Sequence, residues 1–294
     1  MLQIPRMITT KLKLQDKLPL TCTRTGTCCH GNLVKLNPWE LLVLAKEKKI
    51  TTREFRDLYT EFGGIRLKFN GNTDSNGRQS CNLYSENHGC SVHLSRPLAC
   101  RLFPLGRQIQ SNEVNYIYQG EEFPCSIGCA DVVNLPYLSV GEYLEGQETK
   151  FFEEAQDAYL ELMQNIADVA FVLLLDSGLT DSKDDHTLKE WRKMGIESPE
   201  SLVKRIGNEW LDQLMLPHIT KNLENPILFA QTHNEILQER VQEKFETLKT
   251  NQEFHEAAVL IMGMTLYLAA AIGANPKNLS EYWIDIAKSH GAKE

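Results

Sequence analysis

Eight cysteines lie between residues 22 and 129 of this 294-residue chain, and the 165 residues that follow have none. They fall into three groups: Cys22, Cys28 and Cys29; then Cys81, Cys90 and Cys100; then Cys125 and Cys129. Deprotonated thiols bind soft and borderline metals. Zinc takes four ligands in a tetrahedron, and iron–sulfur clusters are commonly held by four cysteines. The spacing here is C-x5-C-C, then C-x8-C-x9-C, then C-x3-C. It matches neither the paired C-x2-C knuckles of a zinc ribbon nor the C-x2-C-x2-C run of a bacterial ferredoxin. The pattern therefore points to a metal centre and leaves zinc and iron both open. His30, His88 and His93 stand near these cysteines, but with eight thiols in the chain each reads as a bystander.

Around the sixth cysteine the chain reads RPLACRLFP, with Arg96 and Arg101 flanking Cys100. Four thiolates around a dication leave a net negative charge. A nearby guanidinium can offset that charge and donate N–H bonds to sulfur, so Arg96 and Arg101 are expected in a supporting role. Pro97 and Pro104 stiffen the same loop and lower the entropy lost when it is ordered.

The rest of the chain must position this set. Its hydrophobic content of 42% with 24% charged residues is ordinary for a globular protein, and the length gives room for two domains. Residues 1–150 carry a net charge of +3 and residues 151–294 carry −11. The acidic half argues against binding a phosphate backbone, and the first half is too weakly basic to suggest it; no nucleic-acid partner is expected. No apolar leader with a small-residue cleavage site is visible at the start, so the expected compartment is the reducing cytoplasm. There, such cysteines suggest metal or redox chemistry more than structural disulfides.

Local signals place the elements. A strand is expected within residues 1–20, and Asn37-Pro38-Trp39-Glu40 opens a helix to about Lys49. Thr51-Thr52-Arg53-Glu54 is a capping box for a short helix to about Phe62, stopped by Gly63-Gly64. These neighbouring helices invite a helix-turn-helix reading. Their exposed faces, however, mix Glu47, Glu54, Asp57 and Glu61 with the basic residues, which suits a solvated surface better than DNA. Ile65–Phe69 alternates as a half-buried strand does, and 107–109 with 114–118 reads as a hairpin. From Ser139 onward only helices are expected: one from the Ser139–Glu142 capping box, one over 149–176, and others from Ser198-Pro199 and Asn225-Pro226. A last short helix is expected with Ser280 as its cap. Residues 257–276 hold no charge, long enough for a membrane span, but two glycines, a threonine and a proline favour a buried central helix. The expected fold class is α+β and mostly helical. A small, loop-rich metal-binding domain (1–147) precedes an all-α bundle (148–294).

The cysteine doublet, the Cys81-Asn82-Leu83-Tyr84 element and RPLACRLFP together resemble the YkgJ-type cysteine-cluster family, a zinc- or iron-chelating domain. The resemblance runs over roughly residues 20–147 and implies Cys22, Cys28, Cys29, Cys81, Cys90, Cys100 and Cys125 as ligands. Where that family often reads CxxCxxCC, this chain has Thr25 in place of the second cysteine. His93 stands where tyrosine is common, and Cys129 is an additional thiol. The same cluster region is distantly similar to that of flagellin lysine methylases, which implies protein-directed methyl transfer or a related redox-assisted modification. No G-x-G-x-G methyl-donor loop follows a strand here.

Three readings result. The first is an iron–sulfur or iron-binding protein with a redox or protein-modifying role, acting on a protein partner or substrate. The second is a structural zinc module whose helical domain binds a protein, and the third is a metal-storage protein. No catalytic acid or base stands out. Asp184-Asp185-His186 reads as a helix start. His255 with Met262 and Met264 could suggest heme or copper, but methionines in an apolar helix read as core.

Overall fold

A computed structural model describes residues 10–20, 29–74, 77–110, 113–119, 136–176, 178 and 186–293. In chain order the first half forms β1 (Lys17–Pro19), α1 (Pro38–Lys48), α2 (Thr52–Tyr59), β2 (Thr60–Glu61), β3 (Arg66–Leu67), β4 (Tyr84–Ser85), β5 (Gly89–Cys90), α3 (Leu98–Leu102), β6 (Leu105–Gln110), β7 (Glu113–Tyr118) and β8 (Tyr137–Ser139). Helices follow: α4 (Val140–Gly146), α5 (Lys150–Asp176), α6 (His186–Gly195), α7 (Pro199–Met215), α8 (Pro226–Phe245), α9 (Asn251–Ile272) and α10 (Pro276–Ser289). Every named strand belongs to a two-stranded antiparallel pair, and helices dominate; the fold is α+β.

The chain divides into two compact units: residues 1–34 with 68–153, and residues 35–67 with 154–294. A sequential boundary near 147 was expected. By contacts, the segment holding α1 and α2 groups instead with the later helices. The reason is apolar and local: Leu41, Leu44 and Phe55 are buried, and Trp39 donates its indole N–H to the Leu223 carbonyl at 3.1 Å. Arg53 and Arg56 both reach Asp212 of α7, at 2.7 and 2.5 Å. Between β2 and β3, a 3-10 turn at Phe62–Gly64 accepts a 2.8 Å hydrogen bond from the Tyr267 hydroxyl at the Phe62 carbonyl.

In the first unit, β1 pairs with β8, and β6 with β7 in the register Leu105↔Tyr118 to Gln110↔Glu113. Leu12, Leu18, Leu83, Leu102, Tyr143 and Phe152 are among its buried side chains. In the second unit α9 packs against α6, α7 and α10. Two described helices, α5 and α9, are apolar and long enough to cross a membrane; of the most apolar stretch of α9, 78% is buried inside the protein. Met262 and Met264 are wholly buried there, as core packing predicts.

Helix starts follow their caps. Asn37, Thr51, Ser139 and Thr250 each form a reciprocal capping box with a glutamate three residues on. Two local expectations change. The second helix stops at Tyr59 rather than Phe62, because Thr60 and Glu61 pair with Leu67 and Arg66. Ser280 does not cap the last helix: Asn275 does, accepting from the Asn278 N–H at 3.2 Å. Ser280 is instead buried in α10 beside Gly195, where an added Cβ would lie 2.1 Å from the serine oxygen.

Candidate metal centre

The backbone of the first unit links three of the expected donors, Cys29, Cys81 and Cys90, through a bridge and a hairpin. Residues 29–31 run antiparallel to 79–81: Gly31 N–H donates to the Gln79 carbonyl at 2.9 Å, and Cys81 N–H to the Cys29 carbonyl at 2.7 Å. His30 and Ser80 face each other in that bridge. At Cys81 the chain turns, with Tyr84 N–H on the Cys81 carbonyl at 2.9 Å, and enters the β4–β5 hairpin in which Tyr84 pairs with Cys90. Gly89 supplies the positive φ of 72° that this tight return needs. Ser91 N–H then closes on the Leu83 carbonyl at 2.8 Å. Cys29 and Cys81 thus flank an isolated antiparallel bridge and Cys90 closes the short hairpin that follows it, Cys81 buried and the other two half-buried.

Gly71 and Ser80 make a second tight point beside Cys81. Gly71 N–H donates to the Ser80 carbonyl at 2.9 Å, and any Cβ at 71 would lie 2.3 Å from the Ser80 hydroxyl oxygen. His30 packs edge-on to the Tyr84 ring, with centroids 5.1 Å apart, while His88 is exposed in the hairpin turn. The His93 ring nitrogen Nδ1 lies 3.3 Å from an Arg96 guanidinium nitrogen.

Cys100 arrives on α3, whose position is fixed by the two arginines. Arg101 is 3% exposed. Its Nε donates to the Arg96 carbonyl at 2.9 Å and its Nη1 to the Gln147 carbonyl at 2.7 Å, while Nη2 donates to the Leu94 carbonyl. The guanidinium also lies 4.1 Å from the Phe152 ring centroid and 3.7 Å from a Glu148 carboxylate oxygen. Arg96 donates to the His93 carbonyl at 2.7 Å and to the Gln147 side-chain oxygen at 2.5 Å. These bonds lock the loop from His93 to Phe103 onto the segment that joins α4 to α5. The planar fork of arginine, with five N–H donors in fixed directions, reaches several separated carbonyls at once. Gln147 and Phe152, which hold the fork from the far side, carry no local sequence signal; they lie 46 and 51 residues beyond Arg101.

The same unit buries a polar cluster drawn from β6, β7 and the start of α5. The Tyr116 hydroxyl donates to Glu153 at 2.7 Å, and Arg107 Nε lies 3.7 Å from the same carboxylate oxygen. Burial, with Glu153 alongside, pushes the Tyr116 phenol well above its usual range, so it is a fixed donor.

The soft donor set fits a thiophilic ion. No disulfide joins Cys29, Cys81, Cys90 and Cys100 to one another. Among the described residues no group of three or more His, Cys, Asp or Glu side chains is gathered closely enough to hold a metal. Cys22, Cys28, Cys125 and Cys129, half of the expected donors, lie outside the described residues.

Residues 21–119 match the family model CxxCxxCC, described as "Putative zinc- or iron-chelating domain". That span is about a third of the chain and contains six of its eight cysteines, together with Arg96 and Arg101. No curated protein and no solved structure matches the chain. The segment is a cysteine-cluster domain of the metal-chelating kind, as its residues imply.

Proposed function

We propose that this bearer of a CxxCxxCC-type chelating domain is an iron-binding or iron–sulfur protein of the cytoplasm, with a redox or protein-modifying role toward a protein partner. The observation that carries the reading is the number and dispersal of thiols. Eight cysteines drawn from three parts of the chain exceed the four that one tetrahedral zinc requires. They suit a cluster with additional thiols, or more than one iron. When bound, such a centre supplies one-electron transfer at a potential tuned by charge and hydrogen bonds around sulfur.

The chain's own residues do the rest. Cys29 and Cys81 flank one antiparallel bridge and Cys90 lies in the hairpin that follows, with Cys100 on the clamped helix next in sequence, and Cys22, Cys28, Cys125 and Cys129 complete the proposed ligand set. Arg101, the residue after Cys100, carries a permanent, buried positive charge on the same short helix, which would favour a thiolate there. Arg96 adds a second guanidinium to the same loop.

A structural zinc module whose helical unit docks a protein is the second reading. The clamp around Arg101 favours it, since a rigid, carbonyl-tied loop suits a closed four-ligand site. Anaerobic purification with metal analysis and a visible spectrum decides between them. Iron, acid-labile sulfide and thiolate-to-iron absorption are expected, and Cys→Ser replacement of Cys29, Cys81, Cys90 or Cys100 should each reduce the metal content. A colourless protein with stoichiometric zinc overturns the iron reading and leaves the second.

A further inference from the structure

His186 and His255, far apart in sequence, come together in the second unit. His186 opens α6 and His255 lies near the start of α9. His186 Nδ1 is 3.1 Å from His255 Nε2, with ring centroids 4.8 Å apart and planes inclined by 59°. The other nitrogen of His255, Nδ1, is 2.6 Å from the hydroxyl of Thr187, a buried residue.

Two proton patterns satisfy this chain of contacts. In one of them His255 Nδ1–H donates to Thr187, which leaves Nε2 as the lone-pair nitrogen on the side of the ring that faces His186. A hydroxyl or carbonyl behind one imidazole nitrogen, with the other nitrogen left as a lone pair, is how proteins orient metal-ligating histidines. The spacing agrees. Two nitrogens bound to one ion at about 2.0–2.1 Å lie roughly 2.9 Å apart at a right angle and roughly 3.4 Å apart at the tetrahedral angle. The observed 3.1 Å falls between these limits. For His186 to ligate through Nδ1, its own proton moves to Nε2, so the ring stays neutral and nothing needs to be expelled from the protein. His186 is exposed and His255 half-buried.

We infer that His186 and His255 form an imidazole site for a divalent first-row transition ion, of the Zn2+ or Ni2+ kind, with Thr187 as the positioning residue. The site is distinct from the thiol centre in chemistry and lies in the other compact unit. It joins the starts of α6 and α9 through two nitrogen bonds, using hard-to-soft borderline donors rather than sulfur. The inference does not rest on the iron reading or on the zinc reading of the cysteines.

The test uses the full-length, reduced protein with its as-purified metal already measured. It is equilibrated with Ni2+ and the ion bound per chain is counted, beside H186N, H255N, T187V and C100S. One Ni2+ per chain should be lost equally in H186N and in H255N, with the as-purified metal unchanged in both. C100S should retain that nickel, and T187V should bind it several-fold more weakly. Nickel should also raise the melting temperature of the native protein and leave that of H186N unmoved. Should H255N weaken the fold in nickel-free buffer, H186N decides, because it alters an exposed ring. Equal nickel uptake by native protein and H186N, or a nickel spectrum carrying thiolate bands that vanish in C100S, overturns the site.

Discussion

Acidification should weaken the helical unit through one buried ring. His233 of α8 is 0% exposed; its Nε2 lies 2.8 Å from the Gln213 carbonyl of α7 and its Nδ1 3.0 Å from the Tyr159 hydroxyl of α5. A carbonyl only accepts, so Nε2 carries the proton and Nδ1 accepts from the tyrosine. Burial keeps the Tyr159 phenol protonated, well above its usual range. All three groups are satisfied with a neutral imidazole, and a second proton on Nδ1 would confront the Tyr159 O–H with another donor. Burial accordingly pulls His233 down to about 4, the carbonyl bond opposing it in part. An unfolded histidine titrates near 6.5, so the unfolded chain takes up the proton first on acidification. The stabilisation is complete above about pH 6.5 and is lost as pH falls toward 4; the gap corresponds to roughly 3 kcal/mol. The comparison is H233Q, whose amide can donate to Gln213 and accept from Tyr159 without titrating. All four tryptophans, Trp39, Trp191, Trp210 and Trp283, lie in this unit, so their fluorescence in urea titrations reports it alone. Between pH 7 and pH 4 the native protein should lose roughly 3 kcal/mol more than H233Q. Parallel losses in the two proteins, or a ring found protonated by histidine NMR at pH 5.5, would refute the reasoning.

Removing the metal should separate the two units. A strong chelator is expected to abolish structure around Cys29, Cys81, Cys90 and Cys100, detected by faster amide exchange in residues 68–110, while tryptophan fluorescence stays native; a joint collapse contradicts this. Gly63→Ala should cost about 3 kcal/mol in urea unfolding. The glycine has φ 75°, and a Cβ there would stand 2.8 Å from Leu211 and from the Tyr267 hydroxyl. An unchanged midpoint would mean that the 3-10 turn is not wedged as described. Arg101→Lys keeps the charge but loses the fork over Leu94, Arg96 and Gln147, and should cost about 2 kcal/mol in the first unit and lower its metal retention. Full metal content and stability in that variant would show that charge alone suffices.

What was legible in the sequence was what is decided locally. The caps at Asn37, Thr51, Ser139 and Asn225 act within one turn, and the hairpin at 105–118 is closed by near neighbours. The end of α2 was not legible, because it is set by Thr60 and Glu61 finding β3 across a turn. Ser280 has the residue type of a cap, but Asn275-Pro276 wins the helix start and the small serine is used against Gly195 instead. At the cysteines, residue type announced the chemistry, whereas the pairing of Cys29 with Cys81 across 52 residues did not appear in spacing. The arginines were found through their place beside Cys100, yet their carbonyl partners at Leu94 and Gln147 lay outside any local pattern. His186 and His255 were each read alone, and only the packing of α6 on α9 joins them.

The bond from Tyr267 to the Phe62 carbonyl spans 205 residues. Chains grow at about 5–20 residues per second, so the 3-10 turn emerges from the ribosome roughly 10–40 s before the tyrosine that tethers it. All eight cysteines are made before that interval ends, since the last is residue 129. Thiols are therefore on offer to metal, oxidant or chaperone while α1 and α2 still wait for α7, α8 and α9 to be synthesised. The order of synthesis lets the metal-binding segment be loaded before the helical core exists.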